Sequence, residues 1–511
     1  MPEALRTVVI GAGVGGLVGA LRLAHRGQTV TVLESANIPG GKIHTQTVGD
    51  VQIDSGPTVF TMRWVFDDIL RAVGTRLEDH LRLQPLQVLA RHFWDDGSQL
   101  DLFMDSERSE AAIADWSGGD EAARFRSFCA RARAVYDTLE GPFMRSPRPG
   151  MPGLMARIGP SGLSVLAQLG PMRTLWQQMV REFADPRLQQ LFGRYATYCG
   201  SSPWQAPATL MLVAQVEMDG VWSVEGGMTA LAQMLARLCE VHGARMRMGC
   251  TARRIDVQQG RVRGVELSTG EYLPADQVLF NGEAAALRQG LLGPKACAAV
   301  PSEAPPRALS AITWALHAPL HGVELERHNV FFCPDYAREF DDIFRHQRLP
   351  ALPTVYVCAQ DRPGPIAEGA AQRVLALVNA PATGDQPHWR NEDLDTCQAT
   401  TFSYLHRLGL RVPLNSPGMR RTSPLDFHRR FAASGGALYG QATHGWTGIF
   451  RRPGAQTPVQ GLYLAGGSVH PGPGVPMAAL SGQLAAEAML ANRASTSTSR
   501  TAAISGGMST P

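Results

Sequence analysis

The chain has no long apolar run, no block of like charge and no closely spaced cysteines. No uninterrupted apolar stretch reaches the roughly 18 residues a spanning helix needs, so the chain is not expected to cross a membrane. Lys plus Arg number 48 and Asp plus Glu 45, a net charge of +3, and the arginines are scattered. Nothing in that balance asks for nucleic acid, although a basic surface facing anionic lipid stays open. The eight cysteines form no CxxC pair, which argues against a zinc or iron–sulfur site, so no metal is expected and reduced thiols in a cytosolic protein are the default. The N-terminus runs straight into a strand pattern, which leaves no room for a cleavable signal peptide. At 511 residues the chain can hold two or three domain-sized units.

What is present is concentrated at the start. Val8-Val9-Ile10 reads as a strand buried on both faces, and Gly11-Ala12-Gly13-Val14-Gly15-Gly16 follows it without a gap. This is GxGxxG in the context it requires. Gly11 suits the tight turn, Gly13 the approach of a pyrophosphate, and Gly16 the close packing of helix on strand. Leu17, Ala20, Leu21 and Ala24 repeat at helical spacing, Gly27 stops that helix, and Val30, Val32 and Leu33 form a second strand. Glu34 then falls about 20 residues on, where a ribose hydroxyl needs a carboxylate acceptor. The fingerprint serves NAD and FAD alike. The discriminating residues are Pro39-Gly40-Gly41-Lys42 and Asp54-Ser55-Gly56-Pro57-Thr58, which resemble the two-dinucleotide-binding flavoprotein pattern.

Further along, Val65 to Val73 reads as a helix, and Val88–Trp94 with Gln99–Phe103 as a hairpin. From Ser106 to about Arg194 the texture is helical, interrupted by a Pro/Gly-rich passage from Gly141 to Gly162. Leu154–Ile158 and Leu163 to Trp176 are apolar and flanked by Arg157 and Arg173. They suit burial in a core or docking on a membrane surface, and burial is preferred because the apolar positions serve it equally well. Thr229 to His242 is an amphipathic helix, Ala252–Val257 and Val262–Leu267 a hairpin, and Ala275–Asn281 a strand with a polar tip. The last structured unit, Gly461 to Gln483, is a strand, a Gly/Pro loop and a helix. Strands are also expected at Leu309–Leu316, Thr354–Cys358 and Val374–Asn379.

Taken together, these motifs resemble the bacterial carotenoid desaturase, or phytoene desaturase-like, family of FAD flavoproteins from Thr7 to about Asn492. The pieces are GAGVGGL with Glu34 and GGK, the block at Asp54–Thr58, Gly200-Ser201-Ser202-Pro203 with Ala206-Pro207, Gly220 to Met228, and GLYLAGGSVHPGPGVPMA. The neighbourhoods of Gly56–Asp67 and Ala90-Arg91-His92 look most like the 1-hydroxycarotenoid 3,4-desaturases of purple photosynthetic bacteria. Val224 stands where relatives commonly have Pro, and Pro476-Met477 replaces a commoner Pro-Gly, which puts fine specificity in doubt.

The resemblance implies an α/β fold, a Rossmann-type FAD-binding domain interleaved with a mixed α+β substrate domain. Residues 1–105, 205–300 and 436–494 are assigned to the first, 106–204 and 301–435 to the second, which also contacts the membrane, and 495–511 to a disordered tail. It also implies Gly11, Gly13, Gly16 and Glu34 at the ADP half of FAD and Ala252 at adenine. Gly40, Gly41, Lys42, Gly466, Gly467 and Ser468 fall to the diphosphate and ribityl chain. Gly474, Val475, Pro476 and Met477 lie against the ring, with Gly56, Pro57 and Thr58 approaching from the other side. The implied reaction desaturates an acyclic carotenoid, taking a hydride to flavin and losing a proton, with oxygen or a quinone as final acceptor and a peripheral position on the cytoplasmic side of the inner membrane. No catalytic residue is assigned: His470, Arg63 and Asp54 lie in ring-adjacent motifs, but loop hydrogen bonding or a solvated charge explains each more simply. A phytoene desaturase of other regiospecificity, a carotenoid isomerase, an amine oxidase and a non-catalytic carotenoid-binding protein are the alternatives.

Overall fold

The protein is described by a computed structural model covering residues 5–505 except 171, 368, 388 and 414–417. Its opening segment folds as the pattern dictates. The strand Arg6–Ile10 is buried at its centre, and the helix Val14–His25 follows at once with Leu17, Ala20, Leu21 and Ala24 in the core.

This strand sits in the middle of a five-stranded sheet whose pairs are all parallel. In space the order is Leu462–Leu464, Gln277–Phe280, Arg6–Ile10, Thr29–Leu33 and Arg245–Arg247. By chain order that is 5-4-1-2-3, the mononucleotide-binding arrangement, with the switch in strand order falling between Arg6–Ile10 and its partner Gln277–Phe280. Ligands bind such sheets in the crevice beyond the carboxyl ends at this reversal. Gly11 and Asn281 are the first residues past the two strands. Asn281 Nδ2 donates to the Gly11 carbonyl at 3.2 Å, tying the lips of the crevice together. A three-stranded antiparallel sheet, Ala252–Gln258, Arg261–Leu267 and Tyr272–Pro274, stands beside it.

A second, mixed sheet of seven strands runs Arg420–Thr422, Ser310–Pro319, Ala371–Ala380, Val355–Ala359, His328–Phe331, Val88–Phe93 and Gln99–Phe103. The sequence grouped 88–103 with the nucleotide-binding segments. In the fold His328–Phe331 pairs in parallel with Val88–Phe93, joining that hairpin to the second sheet. Parallel pairing between segments so distant leaves no local signature.

The helical layer comprises Ser106–Ser117, Gly119–Leu139, Met151–Leu169, Leu175–Glu182, Pro186–Gly193 and Leu212–Met218. Gly119–Leu139 buries Ala122, Phe125, Phe128, Ala132, Val135 and Leu139 at helical spacing. The Pro/Gly-rich passage is helical only in part. Met151–Leu169 is two helical halves kinked at Gly159, whose φ of 65° is not helical, ahead of Pro160, and Leu154, Ile158 and Leu169 bury both halves. The C-terminal helix Val475–Ser505 carries helical backbone over 495–505, where no order was expected; 506–511 lie outside the described residues.

Candidate cofactor and substrate site

Where the first sheet meets the second, a cavity of about 960 Å³ begins at the crevice of Gly11 and Asn281 and continues into the interior. Of the glycines and neighbours read from the sequence, Gly11, Gly13, Gly40, Gly41, Gly56, Gly466, Gly467 and Gly474 line it. So do Glu34, Lys42, Pro57, Thr58, Ala252, Ser468, Val475, Pro476 and Met477. Gly16 does not: it lies against the first strand, where a methyl group would overlap the Gly11 carbonyl oxygen, which is the packing role expected of it.

The wall at the crevice is bare backbone. No side chain caps the helix at Gly13, so its N-terminal N–H groups and the positive end of its dipole face the opening. Gly41, at φ 61°, brings its turn so near that a Cβ would stand 3.2 Å from the Gly13 Cα. Only glycine holds that conformation without strain. This is a cradle for a group that must touch the main chain.

Glu34 is buried at the end of the second strand. Its Oε2 accepts from the Ala12 N–H at 2.8 Å and its Oε1 from the Ala36 N–H at 2.9 Å, which fixes the carboxylate at the cavity wall. Lys42 is less free than the sequence suggested. Its ammonium donates to Glu283 Oε1 and to the Leu438 carbonyl, both at 2.7 Å, so much of its charge is already matched.

Asp54 and His470 are structural. Asp54 is buried, and its Oδ2 accepts from the Met228 N–H at 2.8 Å, capping the helix Met228–Val241. Burial raises its pKa against the opposing pull of that N–H. His470 Nε2 faces the carbonyls of Phe143 and Ser146, each at 3.0 Å, and burial lowers its pKa to about 4, so the ring is neutral. Arg63 pairs with Asp67 and Glu78 on the surface.

Several lining residues gave no signal in the sequence. Arg452 is buried, and donates to the carbonyls of Tyr439, Gln441 and Gly467, clamping the Gly466–Ser468 loop from behind; burial lowers its pKa to about 10. The same cavity is lined by Leu139, Leu210, Val213 and Val216 from the helical side and by Leu375 and Leu377 of the second sheet. Arg194, Tyr198 and Tyr356 stand in this largely apolar stretch.

A mononucleotide-binding sheet, a glycine-built crevice for a pyrophosphate and an apolar extension define a flavin oxidoreductase. The chain belongs to the flavin-containing amine oxidoreductase family, whose profile matches residues 14–490. Within it the chain stands with the carotenoid desaturases. It is 54% identical to hydroxyneurosporene desaturase of Rubrivivax gelatinosus, over 100% of this chain and 98% of the relative. It is 44% identical to that of Cereibacter sphaeroides, over 96% and 99%. An oxidoreductase from Methanosarcina mazei shares the fold at TM-score 0.60 and 16% identity, covering 94% of this chain and 99% of that one. The cofactor is FAD, and the crevice fits it: the N–H groups at the start of the helix Val14–His25 carry no side-chain cap, as a diphosphate would require.

Proposed function

We propose that this protein desaturates a hydroxylated acyclic carotenoid, forming the C-3,4 double bond of 1-hydroxyneurosporene or a close analogue in spheroidene- or spirilloxanthin-type biosynthesis. The observation that carries the reading is the continuity of the cavity, from the dinucleotide crevice into an apolar passage. A rod-like polyene could enter that passage end-on and meet the ring, with bulk water excluded. The two relatives above are, by name, desaturases of hydroxyneurosporene.

Bound FAD supplies the two-electron acceptor that no side chain can provide. The chain's own residues bind, orient and dry the site. Gly11, Gly13, Gly16 and Glu34 are proposed to hold the ADP half and Ala252 to meet adenine. Gly40, Gly41, Gly466, Gly467 and Ser468 would follow the diphosphate and ribityl chain, with Lys42 holding its own turn to Glu283 and Leu438 while facing the diphosphate. Gly56, Pro57 and Thr58 would approach one side of the ring and Gly474, Val475, Pro476 and Met477 the other. The carbon that loses hydrogen is next to the polyene, which lowers the demand for a strong base, and His470 is not one.

The proposed position is peripheral, on the cytoplasmic side of the inner membrane, with oxygen or a quinone as final acceptor. Among the described residues no helix is long and apolar enough to cross a membrane. Between Glu140 and Glu182 the sequence has no acidic residue and carries Arg145, Arg148, Arg157, Arg173 and Arg181. Leu163, Met172 and Val180 are exposed there. An arginine-rich surface with protruding apolar side chains suits anionic lipid.

Anaerobic mixing of the FAD-loaded protein with 1-hydroxyneurosporene tests the reaction. Bleaching of the flavin band with a red-shifted polyene spectrum is the expected result. A polyene that never shifts to the red, with oxygen or quinone supplied afterwards, would sink the assignment.

A further inference from the structure

The cavity is lined by a half-buried cation that the cofactor does not explain. Arg194 follows the helix Pro186–Gly193 and is among the residues that line the cavity. Its guanidinium carbon lies 5.4 Å from the Tyr198 ring centre and 6.0 Å from that of Tyr356. Glu217 supplies the balancing charge, but its oxygens are engaged by the hydroxyls of Tyr195, at 2.6 Å, and Tyr198. A guanidinium has more N–H donors than the Tyr198 hydroxyl can accept.

Beside it runs a second polar chain. The hydroxyls of Thr58 and Tyr356 are 2.7 Å apart, and Tyr356 Oη is 2.7 Å from His328 Nδ1. His328 Nε2 is buried with no partner, and burial lowers the imidazole pKa to about 3, so the ring is neutral. In either tautomer of His328, the Thr58–Tyr356 pair keeps an oxygen that can accept, and the Tyr356 ring is the one whose centre lies 6.0 Å from the Arg194 guanidinium carbon. Arg194 and the Tyr356–Thr58 pair are thus neighbours in a passage that Thr313, Tyr336, Thr354 and Asn379 also line, and among these Arg194 is the charged donor.

We propose that Arg194, with the Tyr356–Thr58 pair, is the subsite that receives the hydroxyl of the carotenoid and so sets which carbon–carbon bond lies over the flavin ring. The inference rests on the reading under Proposed function. In a 1-hydroxycarotenoid a single methylene separates the carbinol carbon from the bond to be oxidised. The hydroxyl subsite must therefore adjoin the ring rather than lie at the far end of the passage, and Thr58 joins the two. A hydroxylated end group offers the guanidinium an acceptor that a plain polyene lacks, so donors that the neighbouring hydroxyls do not engage are satisfied only beside the hydroxylated one. Arg194 is thus a specificity-determining residue, with no part in moving hydrogen.

The test presents the FAD-loaded enzyme with 1-hydroxyneurosporene and with neurosporene, reading both turnover and affinity by quenching of tryptophan fluorescence. The wild type should favour the hydroxylated polyene by at least about tenfold in affinity. Arg194→Leu should shrink that preference to within about threefold while FAD content is kept. Tyr356→Phe should do so partially. Arg194→Gln with Glu217→Gln removes both charges together and serves if the single charge deletion fails to fold. Variants that weaken both ligands equally, leaving the ratio unchanged, would make Arg194 merely the counter-charge of Glu217 and overturn the proposal. A wild type that binds with the stated preference but desaturates neither polyene would instead refute the reaction and leave the subsite standing.

Discussion

At the scale of single residues, function here rests on where side chains are missing as much as on where they are present. A Cβ at Gly13 would meet the amide of Asn281 at 2.9 Å, the same amide that holds Gly11. Gly13→Trp should therefore displace that amide and fill the crevice, and the purified protein should carry less than about a tenth of the wild-type flavin absorbance. Normal flavin content would show that the diphosphate lies elsewhere. That Gly11, Gly13 and Glu34 share one crevice was legible in the sequence, because their spacing is local to one strand–turn–helix–strand unit. Arg194, Tyr356 and His328 were not, because Thr58 meets Tyr356 across 298 positions and only the folded second sheet brings them together.

Among the elements, the segment from 141 to 181 carries the most information beyond its own geometry. Its proline and glycine content reads as a break, and the backbone does leave helical geometry at Gly159, before Pro160, while Leu154, Ile158 and Leu169 bury the halves on either side. Burial holds the halves in place without removing the kink. The same segment turns Arg157 and Arg181 outward. Arg157→Glu with Arg181→Glu should weaken binding to phosphatidylglycerol vesicles at least about tenfold, at roughly 1 kcal/mol per basic residue near such a surface. Co-sedimentation that is unchanged by the reversal would remove this face from membrane contact. The hairpin at 88–103 teaches the complementary lesson, since its strands were recognisable but not the sheet they enter.

For the whole molecule, stability should depend on pH through its buried imidazoles. His44, His444 and His470 have pKa values lowered to about 4, and His92 and His328 to about 3, in each case chiefly by burial. The folded protein keeps these rings neutral while the unfolded chain protonates them below about 6.5. The unfolded state thus binds more protons between those limits, and stability, fully present above pH 6.5, falls as pH drops toward 4. Each ring contributes up to about 1.4 kcal/mol per pH unit in that window. Thermal melting of the FAD-loaded protein should show a steep decline from pH 6.5 to 5; a flat profile would mean these rings are protonated in the native state.

The order of the five parallel strands bears on how the protein comes into being. The crevice needs the first strand, Arg6–Ile10, and its neighbours Gln277–Phe280 and Leu462–Leu464. On the ribosome the last of these is made more than four hundred residues after the first. The crevice cannot close before that strand is translated, and the glycine-rich turn must stay soluble for the whole interval.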